Sequence, residues 1–455
     1  MALVRRGVQA MGGEQALRSL SNSTMEFNSA AFGLGQEETP SSPARATIAS
    51  GRVTVDYAGN RRAIRQELRT VNGQVINQRR VTANGIGMVE ANNTINPDPP
   101  ATVTTVERGV RLLPERLLLA ALDNPRALSG LAPRRLRGEL ADGLRYVNGP
   151  DTVSLWFDRM NGLLLATEAI ADDPVLGDRN TLTWYTRWQD AGGVLLPRQV
   201  DVEADGRLQQ HAVYTAVTTN GALGDTLFAI PDSIVQRAQR AAPPVVVTLA
   251  ELAPGVWRAE GGSHHSLVVE QPARLVVVEA PLNAERSRAV LDTLRSRFPT
   301  KRVGTVVMSH HHWDHSGGVR EYLAQSVPVV AHRRNADFVR RVGSTRKTIA
   351  PDALSRRPRA ATVQTVSDSL TLGAGDSRVV LYTLPSAHAE GILAAYLPTS
   401  RLLFVVDVLS PGPNLPRPGS AEVAALARQR GITVDRVVGG HGGIAAWADV
   451  ERAAQ

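Results

Sequence analysis

The segment that decides the fold spans residues 310–315 and reads His310-His311-His312-Trp313-Asp314-His315. It places five potential metal ligands within six residues. The apolar run before it, 303–308, has the pattern of a short buried strand, and the residues after Gly317-Gly318 open a helix. Folds of the α/β type place their sites at such turns, at the carboxyl ends of strands. Imidazole and carboxylate groups gathered there suit zinc or a similar divalent ion.

The composition is that of a globular protein, and it excludes several classes of function. The 455 residues suffice for two or three domains, and 43% of them are hydrophobic. The net charge of +8 comes from scattered arginines without a basic run among aromatic residues, so we expect no nucleic-acid partner. The absence of cysteine excludes disulfides and thiolate chemistry. We also expect no membrane span, because no apolar run is long enough. The oligomeric state is left open.

The two halves of the chain differ in their patterns. Residues 1–235 begin with a helical pattern at 4–20, and an apolar helix is expected at 113–123. The strand-like runs between turn signals predict an α+β, β-rich accessory domain on an antiparallel, half-barrel-like sheet. A linker at 236–246 follows. Strand runs then alternate with helices through 247–455, which predicts a layered α/β catalytic domain.

The distribution of histidine points to the second half of the chain. Of ten histidines, only His211 precedes residue 260. Three further ligand-type residues, His388, Asp407 and His441, each follow an apolar strand run. Alternate residues of an extended segment point the same way, so His310 and His312 can share one ion while His311 points away. Asp314 and His315, at the helix entry, project elsewhere and can hold a second ion.

Together these residues resemble the metallo-β-lactamase superfamily of binuclear metal hydrolases. His-x-His-x-Asp-His is the signature of that family, and the later His, Asp and His fall in its expected order. The resemblance covers roughly residues 247–452 and implies a four-layer αβ/βα sandwich. It further implies two divalent metal ions, zinc first, with iron or manganese as alternatives. The implied ligands are His310, His312 and His388 for one ion, Asp314, His315 and His441 for the other, and Asp407 as a bridge. The family usually has aspartate where Glu279 stands, a departure that concerns support of the metal loop.

The resemblance implies a metallohydrolase in which a hydroxide bridging two metals attacks a small-molecule substrate, with Asp314 accepting its proton. The expected substrates are esters, lactones, β-lactams or phosphoesters, and the sequence does not choose among them. One alternative is a mononuclear iron dioxygenase acting on sulfur compounds through the same fold. The other is a protein that binds a ligand or a lipid through its N-terminal domain.

The remaining candidate residues have two interpretations each. His264 and His265 lie on the opening hairpin. They can either contact the substrate or simply pack within the hairpin. We expect His311 at the surface or behind the ligands, and Glu390 is a candidate to orient His388. Trp313 can pack under the metal loop or form a wall of the pocket, and packing is the commoner role of tryptophan.

The N-terminal half resembles, more weakly, the half-barrel of periplasmic lipoprotein carriers. The segments that carry this resemblance are 11–17 and 153–163. It favours a periplasmic or secreted protein whose signal has been removed, with a cytoplasmic location as the alternative.

Overall fold

The computed structural model describes residues 1–224, 226–240 and 243–455. They form two compact units, neither of which is a continuous stretch of chain. The first unit comprises Met1–Gly33, Arg45–Ala171 and Arg179–Ala242, and the second comprises Leu34–Ala44, Asp172–Asp178 and Pro243–Gln455. The domains expected from the sequence are contiguous, whereas these units are not. The predicted linker overlaps the helix Asp232–Gln239, and its residues 241 and 242 lie outside the described residues.

A 13-stranded sheet dominates the first unit. In chain order its strands are β1 (Asn22–Phe32), β2 (Ala46–Asp56), β3 (Arg61–Arg69), β4 (Val75–Ala83), β5 (Ile86–Ala91), β6 (Thr94–Pro97), β7 (Leu128–Leu136), β8 (Glu139–Asn148), β9 (Asp151–Asp158), β10 (Leu164–Asp173), β11 (Gly177–Asp190), β12 (Leu195–Ala204) and β13 (Arg207–Thr219). Their order in the sheet is β6-β5-β4-β3-β2-β1-β13-β12-β11-β10-β9-β8-β7. The first strand therefore pairs with the last, and this pairing is antiparallel. The predicted antiparallel α+β class is confirmed.

The helices described in the first unit accompany this sheet. They are α1 (Ala2–Ala10), α2 (Glu14–Ser19), α3 (Pro100–Arg111), α4 (Pro114–Asp123) and α5 (Asp232–Gln239). The single helix predicted at 4–20 is wrong, because Gly12 and Gly13 break it with φ angles of +115° and +93°. A Cβ on Gly12 would lie 2.2 Å from the carbonyl oxygen of Gly193, so only glycine fits there. The apolar helix predicted at 113–123 is α4, and its Leu117–Leu119 are buried.

The second unit contains two sheets and several helices. Its strands are β14 (Thr248–Ala253), β15 (Val256–Glu260), β16 (Ser266–Glu270), β17 (Arg274–Val278), β18 (Arg302–Met308), β19 (Val329–His332), β20 (Val363–Val366), β21 (Ser369–Leu372), β22 (Val379–Leu384), β23 (Ile392–Leu397), β24 (Leu402–Val405), β25 (Arg436–Gly439) and β26 (Ile444–Ala446). Its described helices are α6 (Ala284–Arg297), α7 (Trp313–Ser316), α8 (Val319–Ala324), α9 (Ala336–Ser344), α10 (Ala353–Arg356), α11 (Arg417–Arg430) and α12 (Trp447–Ala454). Strands β14 to β20 form one sheet in chain order, and β21 to β26 form the other.

Alternation along β17 shows how the layers are built. Val276 and Val278 belong to a core cluster shared with the second sheet, which includes Leu381 and Phe404. Leu275 and Val277 belong to a different cluster, shared with helices α6, α8 and α9. Successive side chains of a strand point to opposite faces, so β17 is buried on both sides. Helices α11 and α12 contribute Val423 and Val450 to the first cluster. The arrangement is the predicted αβ/βα sandwich of four layers.

Candidate metal centre

The predicted ligand residues lie in loops at the ends of strands. The segment from His310 to His315 follows β18, and α7 begins within it at Trp313. His388 lies between β22 and β23, Asp407 follows β24, and His441 follows β25. Although these positions span more than a hundred residues of sequence, the structure brings all of them together in two groups.

Asp407 lies between the two groups, and each of its carboxylate oxygens faces one pair of histidines. Oδ1 lies 2.6 Å from Nε2 of His441 and 2.9 Å from Nε2 of His315. Oδ2 lies 2.9 Å from Nε2 of His388 and 3.2 Å from Nε2 of His310. A carboxylate with one oxygen directed to each group has the geometry of a bridging ligand.

The first group consists of His310, His312, His388 and Asp407, whose ligand atoms all lie within 4.8 Å of one another. Nδ1 of His312 faces Nε2 of His388 at 3.0 Å, and its other nitrogen donates to the carbonyl oxygen of Glu37 at 2.8 Å. That bond orients the ring and leaves Nδ1 free for an ion. Nδ1 of His310 contacts the Ser309 hydroxyl group at 3.0 Å, which directs Nε2 into the group.

The second group consists of His264, Asp314, His315 and His441, also within 4.8 Å of one another. Nε2 of His315 and Nε2 of His441 face each other at 3.0 Å. His264 Nε2 lies 3.4 Å from Oδ2 of Asp314, and its Nδ1 contacts the Ser263 hydroxyl group at 2.8 Å. The structure therefore adds His264 to the second set of ligand-type residues, a position that the sequence assigned to substrate contact or packing.

Glu279 supports the segment that carries the signature. One carboxylate oxygen accepts the backbone N–H of Ser309 at 3.0 Å, and the other is bonded to Nδ1 of His315. The residue is 1% exposed and adopts a φ of +83°, a strained conformation for a residue with a long side chain. The presence of glutamate where the family usually has aspartate thus affects both the support of the loop and the orientation of His315.

The glycine pair after the signature is required by close packing. A Cβ on Gly317 would lie 2.1 Å from the carbonyl oxygen of Leu282, and one on Gly318 would lie 2.0 Å from the Ser287 hydroxyl oxygen. Two backbone hydrogen bonds also join this segment to the loop that follows β17. The N–H of Leu282 donates to the carbonyl oxygen of Asp314 at 2.8 Å, and the N–H of Gly318 donates to that of Ala280 at 2.9 Å. The segment that holds the ligands is therefore fixed by the loop that follows β17.

The electrostatics of the cluster suit cations. Burial lowers the pKa of His310 well below its ordinary value and that of His312 to about 4, so both rings are neutral at pH 7, the form that can bind a metal ion. Burial opposes a charge on His315, but Glu279 and Asp407 outweigh it and raise its pKa to about 10. Nε2 of His310 is buried and, although it lies 3.2 Å from Oδ2 of Asp407, makes no well-aligned hydrogen bond among the described residues. Imidazole nitrogens converging on shared carboxylates fit divalent metal ions, which would replace the proton on His315.

One contributor to the site was not predicted from the sequence, the segment Leu34–Ala44. It belongs to the second unit although it lies more than 200 residues before β14. The side-chain amide of Gln36 donates to Oδ1 of Asp314 at 2.9 Å, and the carbonyl oxygen of Glu38 accepts the N–H of Glu390 at 2.8 Å. This segment joins β1 and β2 and has neither a periodic pattern nor a motif that marks it as part of a site.

The structure also places the other candidate residues. His311 is buried rather than at the surface, which agrees with the second of its two expected positions: it is 1% exposed, and its ring lies 5.8 Å from that of Phe338. Trp313 is 50% exposed rather than packed beneath the loop. His265 donates its backbone N–H to Gly440 at 2.8 Å and takes no part in the two groups. Glu390, the candidate to orient His388, pairs with Arg334 at 2.7 Å.

Comparison with known proteins agrees with the resemblance drawn from the signature. Residues 259–441 match the model of the metallo-beta-lactamase superfamily, so the resemblance is confirmed for this segment. The alpha subunit of 2,4-dinitroanisole O-demethylase from Nocardioides sp. (strain JS1661) is 25% identical over 159 residues, which are 35% of this chain and 45% of that protein. The match therefore spans less than half of that relative.

Solved structures of metallo-beta-lactamases are also similar to this chain. The enzyme from Pontibacter korlensis is 16% identical, with 46% of this chain and 97% of that chain covered and a TM-score of 0.37. FIM-1 from Pseudomonas aeruginosa, in its mono-zinc form, is 18% identical, with 47% and 96% covered and a TM-score of 0.38. No described helix is both long and apolar enough to cross a bilayer.

Proposed function

Because residues 259–441 match the metallo-beta-lactamase superfamily, we propose that this protein is a metal-dependent hydrolase with a binuclear centre. One observation carries the proposal: the two oxygens of Asp407 each face a separate pair of imidazole nitrogens at 2.6–3.2 Å. Each pair is completed by further ligand-type side chains. One such group is enough to bind a single metal ion. The presence of a second complete group therefore supports a centre with two metal ions.

The proposed ligands are the members of the two groups other than His264. His310, His312 and His388 would hold one ion, Asp314, His315 and His441 the other, and Asp407 would bridge them. Zinc suits the nitrogen-rich donor set best, with iron or manganese as alternatives. When bound, two such cations polarise a substrate oxygen and acidify water, so that hydrolysis proceeds near neutral pH.

Asp314 is the residue proposed to move the proton. Burial alone would raise the pKa of its carboxyl group, but the contact with His264, the charge of His315 and the hydrogen bond from Gln36 lower it below the ordinary value. The group is therefore ionised at neutral pH and can orient an attacking water and accept its proton. Gln36 occupies Oδ1, which leaves Oδ2 as the oxygen beside His264.

Substrate would approach from the side where the ligand side chains reach solvent. The side chains of His388, Asp314 and His441 are 33%, 22% and 20% exposed, whereas His310 and His315 are buried. We propose an ester, lactone, β-lactam or phosphoester as the substrate. The name of the curated relative adds an aryl methyl ether, 2,4-dinitroanisole, to the compounds worth testing.

The test is a panel of these five substrate types, assayed with metal analysis on the same purified sample. The proposal expects close to two metal ions per chain and turnover of at least one substrate type. Asp314→Ala should abolish that turnover, whereas Asp337→Ala, at a carboxylate that is 96% exposed in the same unit, should not. A metal content near zero after expression with zinc contradicts the site, and normal turnover by Asp314→Ala contradicts the mechanism.

Metal content and oxygen consumption, measured on the same sample, distinguish a hydrolase from an iron dioxygenase. A dioxygenase predicts about one iron per chain and oxygen consumption with a persulfide. The second group, which retains Asp314, His315 and His441 around Oδ1 of Asp407, supports the hydrolase. One iron per chain with oxygen uptake and no hydrolysis would replace our proposal with the dioxygenase.

A further inference from the structure

The first unit encloses a cavity of about 490 Å³ that is unrelated to the metal centre. It is lined by one face of the sheet, by α3, by the start of α4 and by the residues that join these two helices. Aliphatic side chains such as Val53, Val55 and Val200 form much of its wall. Ligand pockets in proteins occupy roughly 300–1,000 Å³ and have mainly apolar walls with a few polar groups. The cavity has the size and the lining of a binding site.

A positive charge lies in the wall of this cavity. Arg62, on β3, lines it, and burial lowers the pKa of its guanidinium group. Among the ion pairs of the described residues, Arg62 has no carboxylate partner within 4.0 Å. The other arginine in the lining, Arg108, is paired with Asp151 at 2.7 Å. Arg62 is half-buried, and a charge that faces a largely apolar wall without a partner is unfavourable, so an anion is the complement that Arg62 lacks.

The nearby acidic groups do not neutralise Arg62. Glu115 also lines the cavity, but it accepts a hydrogen bond from the Tyr57 hydroxyl group at 2.7 Å, and burial raises its pKa. The Tyr185 hydroxyl group bonds to Thr167 at 3.1 Å. Tyr214 lies close enough to Arg62 for the guanidinium charge to lower the pKa of the phenol, against a larger effect of burial. Arg62 and Tyr214 both line the cavity, and each carries a hydrogen-bond donor for a bound group.

We propose that this cavity binds an amphipathic monocarboxylic acid, with its carboxylate on Arg62 and Tyr214 and its apolar body among the valines. A carboxylate matches the forked donors of a guanidinium group, and the tyrosine hydroxyl group supplies a further donor. The apolar wall excludes a ligand that is polar throughout, because its other polar groups would remain unpaired. The carboxylate is therefore the one group of the acid that is bound by hydrogen bonds, and the size of the cavity limits the length of its apolar part.

The experiment is a fluorescence titration of the full-length protein with cis-parinaric acid, compared with its uncharged methyl ester. We expect the acid to bind at one site per chain and the ester to bind at least about tenfold more weakly, because hydrogen bonds to charged groups are the stronger ones. Arg62→Gln should weaken binding of the acid by a similar factor and remove the preference for it. Arg65→Gln removes the same charge from an exposed position of β3 and should change nothing.

Tyr214→Phe provides a second variant that conserves the packing, and we expect it to bind the acid a few-fold more weakly. Equal binding of acid and ester, or unchanged binding by folded Arg62→Gln, would overturn the proposal. Loss of binding that follows removal of the metal instead of Arg62 would also overturn it, since that would place the acid at the metal centre. The readout is ligand fluorescence, so the result does not depend on hydrolysis.

Discussion

The side-chain amide of Gln36 donates a hydrogen bond to Oδ1 of Asp314 at 2.9 Å, although the two residues are 278 positions apart. Asp314 is the proposed proton acceptor, and this bond fixes the orientation of its carboxylate. Glu37, the next residue, accepts from His312 through its carbonyl oxygen. Two neighbouring residues thus orient a member of each ligand group, and their effects can be separated by mutation.

Replacing Gln36 should reduce turnover without removing metal. Gln36→Ala deletes one donor to Asp314, and the loss of a hydrogen bond to a charged group predicts a kcat about tenfold lower. Metal content should remain that of the wild type, because the ligands are intact. Gln74→Ala, at an exposed turn of the first unit, is the matched control. A wild-type kcat for Gln36→Ala would show that the bond does not position the carboxylate.

The second prediction concerns Glu279 and metal affinity. Glu279→Gln keeps the size of the side chain but removes the charge that faces His315, and replacing such partners typically weakens metal binding by ~10–100-fold. Competition with a chelator measures this effect. Glu270→Gln, which removes a carboxylate paired with Lys301 at the end of β16, should leave the affinity unchanged. An affinity for Glu279→Gln equal to that of the wild type would remove Glu279 from the support of the site.

His311 and His312 should respond differently to the same substitution. His312→Ala removes a ligand and should lower metal content. His311→Ala should leave it unchanged but cost about 2 kcal/mol or more of stability, because the ring is buried beside Phe338 and its loss leaves a void. Metal analysis together with equilibrium unfolding gives both quantities. Equal loss of metal in the two variants would mean that the assignment of alternate residues in the signature is wrong.

A buried ion pair far from the ligands predicts a pH dependence of stability. Asp352 lies 3.0 Å from Nη2 of Arg320, whose side chain is 4% exposed. Burial opposes ionisation of Asp352, but the bonds from Arg320 and Ser355 lower its pKa below the ordinary value. The ionised form is therefore favoured by folding. The contribution of ionised Asp352 to the free energy of unfolding is complete above its pKa of ~3.9 in the unfolded chain. This contribution is lost as the pH falls through the lower pKa of the folded state.

Asp352→Asn should accordingly destabilise the protein by about 3 kcal/mol at pH 7, since breaking a buried pair leaves a charge without a partner. The difference from the wild type should shrink below about pH 4. Asp337→Asn, in an exposed pair with Arg340, should cost less than about 1 kcal/mol at either pH. Equilibrium unfolding at pH 7 and near pH 3.5 measures the change. A difference that stays constant over this range would contradict the assigned pair.

Local patterns predicted much of the second unit. The alternation of strand runs and helices expected through 247–455 is present, for example in β17 followed by α6, because strand and helix periods can be recognised from neighbouring residues. Apart from His264, the ligand-type residues of the two groups follow the same logic: they come after strand runs, and strand ends meet at one edge. The break between α1 and α2 at Gly12 could not be predicted from the local pattern, because it depends on the contact of Gly12 with Gly193.

Contacts between distant segments could not be predicted in this way. Gln36 and Glu37 lie in a connection between β1 and β2, and nothing in the local sequence pairs them with His312 or Asp314. The burial of His311 likewise depends on Phe338, which comes from α9. The position of His264 depends on its bridge to His441, formed by residues 177 positions apart (441 minus 264). These relationships arise from tertiary packing, which a single sequence does not show.

The discontinuity of the two units limits how this protein can evolve. The chain passes between them at 33/34, 44/45, 171/172, 178/179 and 242/243. A gene fusion or recombination event near residue 243 would transfer every proposed metal ligand but leave Gln36 and Glu37 behind. We therefore expect the two units to be inherited together and to change in concert. An ancestor that lacked the N-terminal sheet would have needed another means of orienting Asp314.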